Sequence, residues 1–238
     1  MKSVVYPVFQ AVIDLTTKRF CWVEALVRLA GDTSEKGHIP LIRIAERYQF
    51  IHHLDSAMTE IAFDLLHVVG MPIAVNVSAV TIERNPVSIL GILRFNREVA
   101  KNIIIEITET AQIHDYQAVM RFVCEARMLG TKIAIDDFGS GFFTLDSVGM
   151  ITPDIIKLSG GLISQVHATK NYALLDDIRA IATATDADLL AEGIDSWGKY
   201  ELAKHIGCRY AQGYTIAKPI PIASLCTYPL AGTLAVIG

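Results

Sequence analysis

Short apolar runs alternate along this chain with longer stretches in which apolar positions recur every three or four residues. The runs near residues 4–14, 20–28, 72–78, 102–108, 132–137, 154–158, 188–192 and 209–214 are rich in β-branched residues and bounded by turn or helix signals. Each predicts a strand. Helical periodicity covers 40–49, 54–69, 116–129, 172–185 and 196–206. Strands that alternate with helices predict a mostly parallel sheet, and eight of them in one domain predict an α/β fold, a (β/α)8 TIM-like barrel. The first pair breaks the pattern. Residues 15–19 are too few for a parallel crossover, so the first strand should be antiparallel.

Composition agrees with that architecture. A chain of 238 residues that is 52% hydrophobic suits a single domain over 1–238, with strands covered on both faces. No apolar run approaches the roughly 18 residues of a membrane span, and the first residues lack the pattern of a secretory signal, so the expected location is cytoplasmic. A net charge of -4 without a Lys/Arg cluster gives no footprint for duplex nucleic acid. The four cysteines, Cys21, Cys124, Cys208 and Cys226, form no CxxC pair and read as buried free thiols. The seven histidines show no metal-ligand spacing, and His52-His53 reads as helix surface. Any metal should therefore be bound mainly by oxygen.

The strand ends carry the chemistry. VEALVR (23–28), IIIEITET (103–110), IAIDDFGSG (133–141) and LLAEGID (189–195) each place an acid at or just past a strand. Clustered carboxylates are costly without a cation among them, and barrel folds gather functional residues at the C-terminal ends of their strands. Alternation selects the inward positions: Glu24, Leu26 and Arg28 on strand two, Asn76 on strand three, Glu106 and Thr108 on strand four. Asp136-Asp137, Lys157, Glu192 and Gln212 close strands five to eight. Anionic oxygens with an amide favour Mg²⁺ or Mn²⁺ over zinc, and the adjacent Asp136-Asp137 pair suits two ions. Two such ions are the usual device for hydrolysing a phosphodiester. The following Phe138-Gly139-Ser140-Gly141 loop offers backbone amides to phosphate. DFG also occurs in protein kinases, but their GxGxxG and HRD motifs are missing here. A two-carboxylate glycosidase is a further reading, one that leaves Asn76, Lys157 and the Asp136-Asp137 pair without a purpose.

Taken together, the motifs resemble the EAL-domain family of bacterial cyclic di-GMP phosphodiesterases. Glu24-Ala25-Leu26 is the naming motif, and FQAVIDL (9–15), P-x4-AE (40–46), NVS (76–78), EITE (106–109), DDFGSG (136–141), IIKL (155–158), AEGID (191–195), AQGY (211–214) and KP (218–219) follow in the family's order. The resemblance implies hydrolysis of cyclic di-GMP to linear pGpG. It also implies that Glu24, Asn76, Glu106 and Asp136 hold one metal, and Asp136, Asp137 and Glu192 a second. Lys157 would position water or stabilise phosphate charge, and Glu192 would help deprotonate the water. Gln10, Leu26, Arg28 and Gln212 would contact the dinucleotide, and Glu109 would hold the loop after Asp137. Ca²⁺ is expected to bind and inhibit, since its looser coordination misplaces water.

Three positions depart from the family pattern: Ala11 stands for Pro, Asp195 for Glu, and Ser159 for Asp. The last should cost most, by removing a carboxylate near the second metal. The alternative reading is accordingly a catalytically weak barrel that serves as a cyclic di-GMP receptor or docks on a protein. The resemblance further suggests a homodimer near the loop after strand five, and regulation by a separate partner protein.

Overall fold

A computed structural model describes residues 5–31, 38–108, 112–141 and 143–225. β1 (Val5–Asp14) and β2 (Phe20–Leu29) form an antiparallel hairpin in which Gln10 faces Glu24. From β2 the sheet continues in parallel through β3 (Ile73–Ser78), β4 (Ile103–Thr108), β5 (Lys132–Phe138), β6 (Ile155–Leu158), β7 (Asp188–Ala191) and β8 (Tyr210–Ala211). β1 pairs antiparallel with β8 and closes the ring. The expected barrel with one antiparallel strand is thus present. β9 (Ile220–Pro221) pairs antiparallel with β1 at Val8 and Phe9. Proline suits such a position because it has no ladder donor to lose.

α1 (His38–Arg47) and α2 (Ile51–Val69) join β2 to β3, and α3 (Ala79–Arg84) and α4 (Pro86–Phe95) join β3 to β4. α5 (Tyr116–Met128) and α6 (Leu145–Ile151) flank β5, α7 (Gly160–Thr169) and α8 (Ala173–Thr185) precede β7, α9 (Trp197–Ile206) precedes β8, and α10 (Ile222–Leu225) follows β9. Periodicity missed α3, α4, α6 and α7, which are short and marked by caps. The Ser78 hydroxyl accepts from Val80 N, Pro86 opens α4, Thr144 and Ser147 form a capping box, and Ser159 Oγ accepts from Leu162 N.

The strands send one set of side chains outward beneath the helices and the other into the barrel. Val12, Trp22, Ala74, Ile104, Ala134, Ile155, Leu190 and Tyr210, one from each strand of the ring, form a buried layer inside it. Trp22 and Tyr210 meet edge to face at 4.6 Å, while alanines elsewhere in the layer make room for such large rings. This layer is the floor on which the polar residues two positions further along each strand stand.

No helix among the described residues is long and apolar enough to cross a membrane. The expectation of buried thiols needs correction: Cys208 is buried, Cys21 is half-buried, and Cys124 is exposed on α5, whose outer face it occupies. Cys226 and the apolar 230–238 segment lie outside the described residues.

Candidate active site

Two residues beyond the apolar layer stand Gln10, Glu24, Asn76, Glu106, Asp136, Lys157, Glu192 and Gln212, the last two just past the ends of β7 and β8. Counted against the direction of the antiparallel β1, Gln10 belongs to the same level as the others. Strand alternation alone therefore makes a polar ring. At its centre the Lys157 ammonium lies 2.6 Å from Asp136, 2.7 Å from Glu106, 2.9 Å from Glu192 and 3.4 Å from Glu24. Glu24 also accepts from Asn76 Nδ2 and from Gln212 Nε2, each at 2.9 Å. Lys157 and Glu106 are 1% exposed, so they lie under the cavity floor.

One ammonium cannot satisfy so many acids in a dry environment. Burial tends to raise the Glu24 pKa, but Lys157 and the Asn76 and Gln212 amides outweigh it and hold that carboxyl below its ordinary value. Burial dominates at Glu106 and Glu192, with neighbouring carboxylates adding to it, and both are pushed well above the usual carboxylate range. Asp136 is raised to about 6, mainly by burial, against the pull of Lys157. Burial favours a neutral Lys157, yet the four carboxylates around it raise its pKa well above 10.5.

Among the described residues no three His, Cys, Asp or Glu side chains stand ready-made around an ion, because the acids are drawn onto Lys157 instead. The donor set nonetheless fits a hard cation. Among the described residues Asn76 Oδ1 is buried without a hydrogen-bond partner, an arrangement that costs about 1–3 kcal/mol unless a ligand meets it. Carboxylate and amide oxygens are the ligands that such a cation takes.

Asp136 and Asp137 are adjacent, so a regular strand would send them to opposite faces. The β5–β6 register instead shifts between Ile135 and Phe138, and Asp137 takes φ +52. This irregularity turns both carboxylates toward one cavity of about 870 Å³, whose lining also includes Leu26, Asn76, Ser140, Gly141, Glu192 and Gln212. Gln10 lines it too, although its amide donates to Ala217 O at 3.0 Å. The Arg28 guanidinium donates to Val27 O at 2.8 Å, and Arg28 is not among the residues that line the cavity. Glu109 lies outside the described residues.

Ser159 is the N-cap residue of α7. It is 2% exposed and absent from the cavity lining; its Oγ caps α7 and its N–H donates to Phe138 O at 3.1 Å. Ser and Asp cap helices about equally well, so the substitution preserves this local task. Asp195 lines the cavity, with its shorter carboxylate 2.7 Å from Lys199.

The sequence reading overlooked the α2 side of the cavity. Asp55 is 5% exposed and accepts from Ser78 N at 3.0 Å and from the Thr81 hydroxyl, while Glu46 accepts from Ser78 Oγ at 2.7 Å. These acids tie α1 and α2 to the turn just beyond Asn76. Burial lifts the Asp55 pKa to about 7 against those hydrogen bonds. The available signal was an acid on the apolar stripe of α2, in step with Ile51, Met58 and Ala62.

Comparison with known proteins bears on the same barrel. The chain is 33% identical over 122 residues to the cyclic di-GMP phosphodiesterase PdeB of Shewanella oneidensis, a match covering 51% of this chain and 14% of PdeB. The chain therefore corresponds to only a small part of that relative's length. The crystal structure of a standalone versatile EAL protein from Vibrio cholerae O395, in its c-di-GMP-bound form, superposes with a TM-score of 0.77 at 26% identity, over 93% of this chain and 94% of that one. The BlrP1 protein of Klebsiella pneumoniae, solved as a manganese/cy-diGMP complex, superposes with a TM-score of 0.77 at 22% identity, over 92% of this chain and 57% of that one, and shows the shared fold. The EAL domain model matches residues 2–219, a span that takes in every strand of the closed ring, and the chain accordingly belongs to the EAL-domain family.

Proposed function

We propose that this chain hydrolyses cyclic di-GMP to linear pGpG at the mouth of the barrel, using Mg²⁺ or Mn²⁺. The observation that carries this reading is the polar ring, where acids outnumber their one ammonium and the buried Asn76 Oδ1 has no partner among the described residues. Glu24, Asn76, Glu106 and Asp136 would hold one ion, and Asp136, Asp137 and Glu192 a second. Bound divalent ions lower the pKa of water and stabilise the leaving oxygen of an in-line displacement.

The chain's own residues supply the rest. A cavity of about 870 Å³ is of the size that takes a dinucleotide, and Leu26, Gln10 and Gln212 line it where they can orient one. Glu192, held 2.9 Å from Lys157 and lining the cavity, stands where it can help to deprotonate the attacking water. Water oxygen bonds to one phosphorus, the bond from that phosphorus to the 3′ oxygen breaks, and the 3′ oxygen takes up a proton. The ring opens to one 5′-phosphate and one 3′-hydroxyl. Ca²⁺ would enter the same site and slow the reaction.

Chromatography of the products tests the reading. Steady pGpG release with Mg²⁺ or Mn²⁺, its arrest by chelator, and its loss in a folded Glu24→Ala variant are the expected results. Binding of cyclic di-GMP with no product would establish a receptor instead.

A further inference from the structure

The loops that follow β6, β7 and β8 touch through backbone, with no side chain between them. A Cβ built on Gly160 would stand 3.2 Å from Gly193 Cα and 3.5 Å from Gly193 N. Built on Gly193, which has φ +62, it would stand 2.8 Å from Gly160 Cα. On the other side, a Cβ on Gly213 would fall 2.2 Å from Ile194 N, and Ile194 N donates to Gln212 O at 3.1 Å. Residues 192–194 are therefore wedged between the chain leaving β6 and the chain leaving β8.

Three members of the polar ring sit beside this seam. Lys157 precedes Gly160 by three residues, and Glu192 and Gln212 immediately precede Gly193 and Gly213. Glu192 N donates to Leu158 O at 3.0 Å, and its carboxylate is 2.9 Å from Lys157 Nζ. Backbone against backbone leaves no flexible atom to absorb a displacement of Gly193, so it passes to Glu192.

We propose that Gly160 is a positioning residue: its bare Cα lets the β6 loop lie against Gly193, and that contact sets where the Glu192 carboxylate stands relative to Lys157. The inference rests on the hydrolase reading and names a determinant of its geometry. Gly160 separates geometry from stability. It opens α7 outside the left-handed region, where alanine is by itself the better helix former. Backbone preference thus predicts a neutral or stabilising Gly160→Ala, whereas the contact predicts a misplaced Glu192.

The test compares Gly160→Ala with Gly91→Ala in α4, where an added Cβ would meet nothing within 4 Å. A 1 Å misplacement costs on the order of 100-fold in rate, so a shift of a few tenths should lower kcat by about 3- to 10-fold. KM and the thermal midpoint should stay near wild type, and Gly91→Ala should match wild type in kcat. In a Glu192→Gln background Gly160→Ala should cost nothing more, since it acts through that carboxylate. Calorimetric titration with Mn²⁺ reads the same displacement as weakened affinity, whether or not the protein turns over. Unchanged kcat and Mn²⁺ affinity in Gly160→Ala would overturn the proposal, as would an undiminished effect in the Glu192→Gln background. Absence of pGpG from the wild-type protein would overturn the hydrolase reading instead, with the Mn²⁺ titration still deciding the role of Gly160.

Discussion

Replacing Asp55 by Asn removes the one acid that ties α2 to the turn beyond Asn76, while an amide oxygen can still accept from Ser78 N and the Thr81 hydroxyl. Burial lifts the Asp55 pKa from 3.8 to about 7, so the folded chain keeps a proton here that the unfolded chain has released. The sign follows from linkage: stability is fully present below the unfolded pKa of 3.8 and is lost as pH rises through the folded value of about 7. Above that both states are ionised and the loss stops growing. At about 1.4 kcal/mol per pH unit, the window corresponds to about 4 kcal/mol. Urea unfolding of both proteins, stepped by about one pH unit across the window, measures it directly, because the difference between them removes the groups that do not interact with Asp55. The wild type should lose about 4 kcal/mol relative to Asp55→Asn between acid and neutral pH. Parallel profiles would refute the reasoning and show that Asp55 titrates as in the unfolded chain.

Ser159→Asp should retain wild-type stability and kcat within about 2-fold, since either residue caps α7, whereas Ser159→Ala should lower stability by about 1 kcal/mol in chemical denaturation. A tenfold faster Ser159→Asp would show that a catalytic carboxylate had been missing. Adding Mn²⁺ should raise the thermal midpoint, by the equivalent of about 2.7 kcal/mol at a hundredfold excess over Kd, and Asn76→Ala should reduce that gain. An unmoved midpoint in calorimetry would count against an ion in the ring. Ile104→Ala, in the apolar layer beneath Glu106, should cost about 2–5 kcal/mol in urea denaturation, and a smaller loss would mean that the layer closes over the gap.

Much of the architecture can be read from one dimension. The five-residue link between the first two strands dictated an antiparallel hairpin, and the alternation of strands and helices dictated the parallel remainder. The period of two along each strand put Glu24, Asn76, Glu106, Asp136 and Lys157 on the inward faces of different strands. What sequence could not supply was the outcome of contacts between segments distant along the chain. Adjacent Asp136 and Asp137 face one cavity only because a register shift against β6 rotates the backbone between them. That Ser159 caps α7 shows only once its neighbours Leu162 and Phe138 are in place. Arg28, inward by parity, turns its guanidinium back onto the backbone oxygen of Val27. Asp55 was hidden on an apolar stripe because its partners, Ser78 and Thr81, belong to another strand and helix. Periodicity is a local property of the chain and survives in the sequence, whereas the proton affinity of a carboxyl depends on which charges and how little water the fold brings to it.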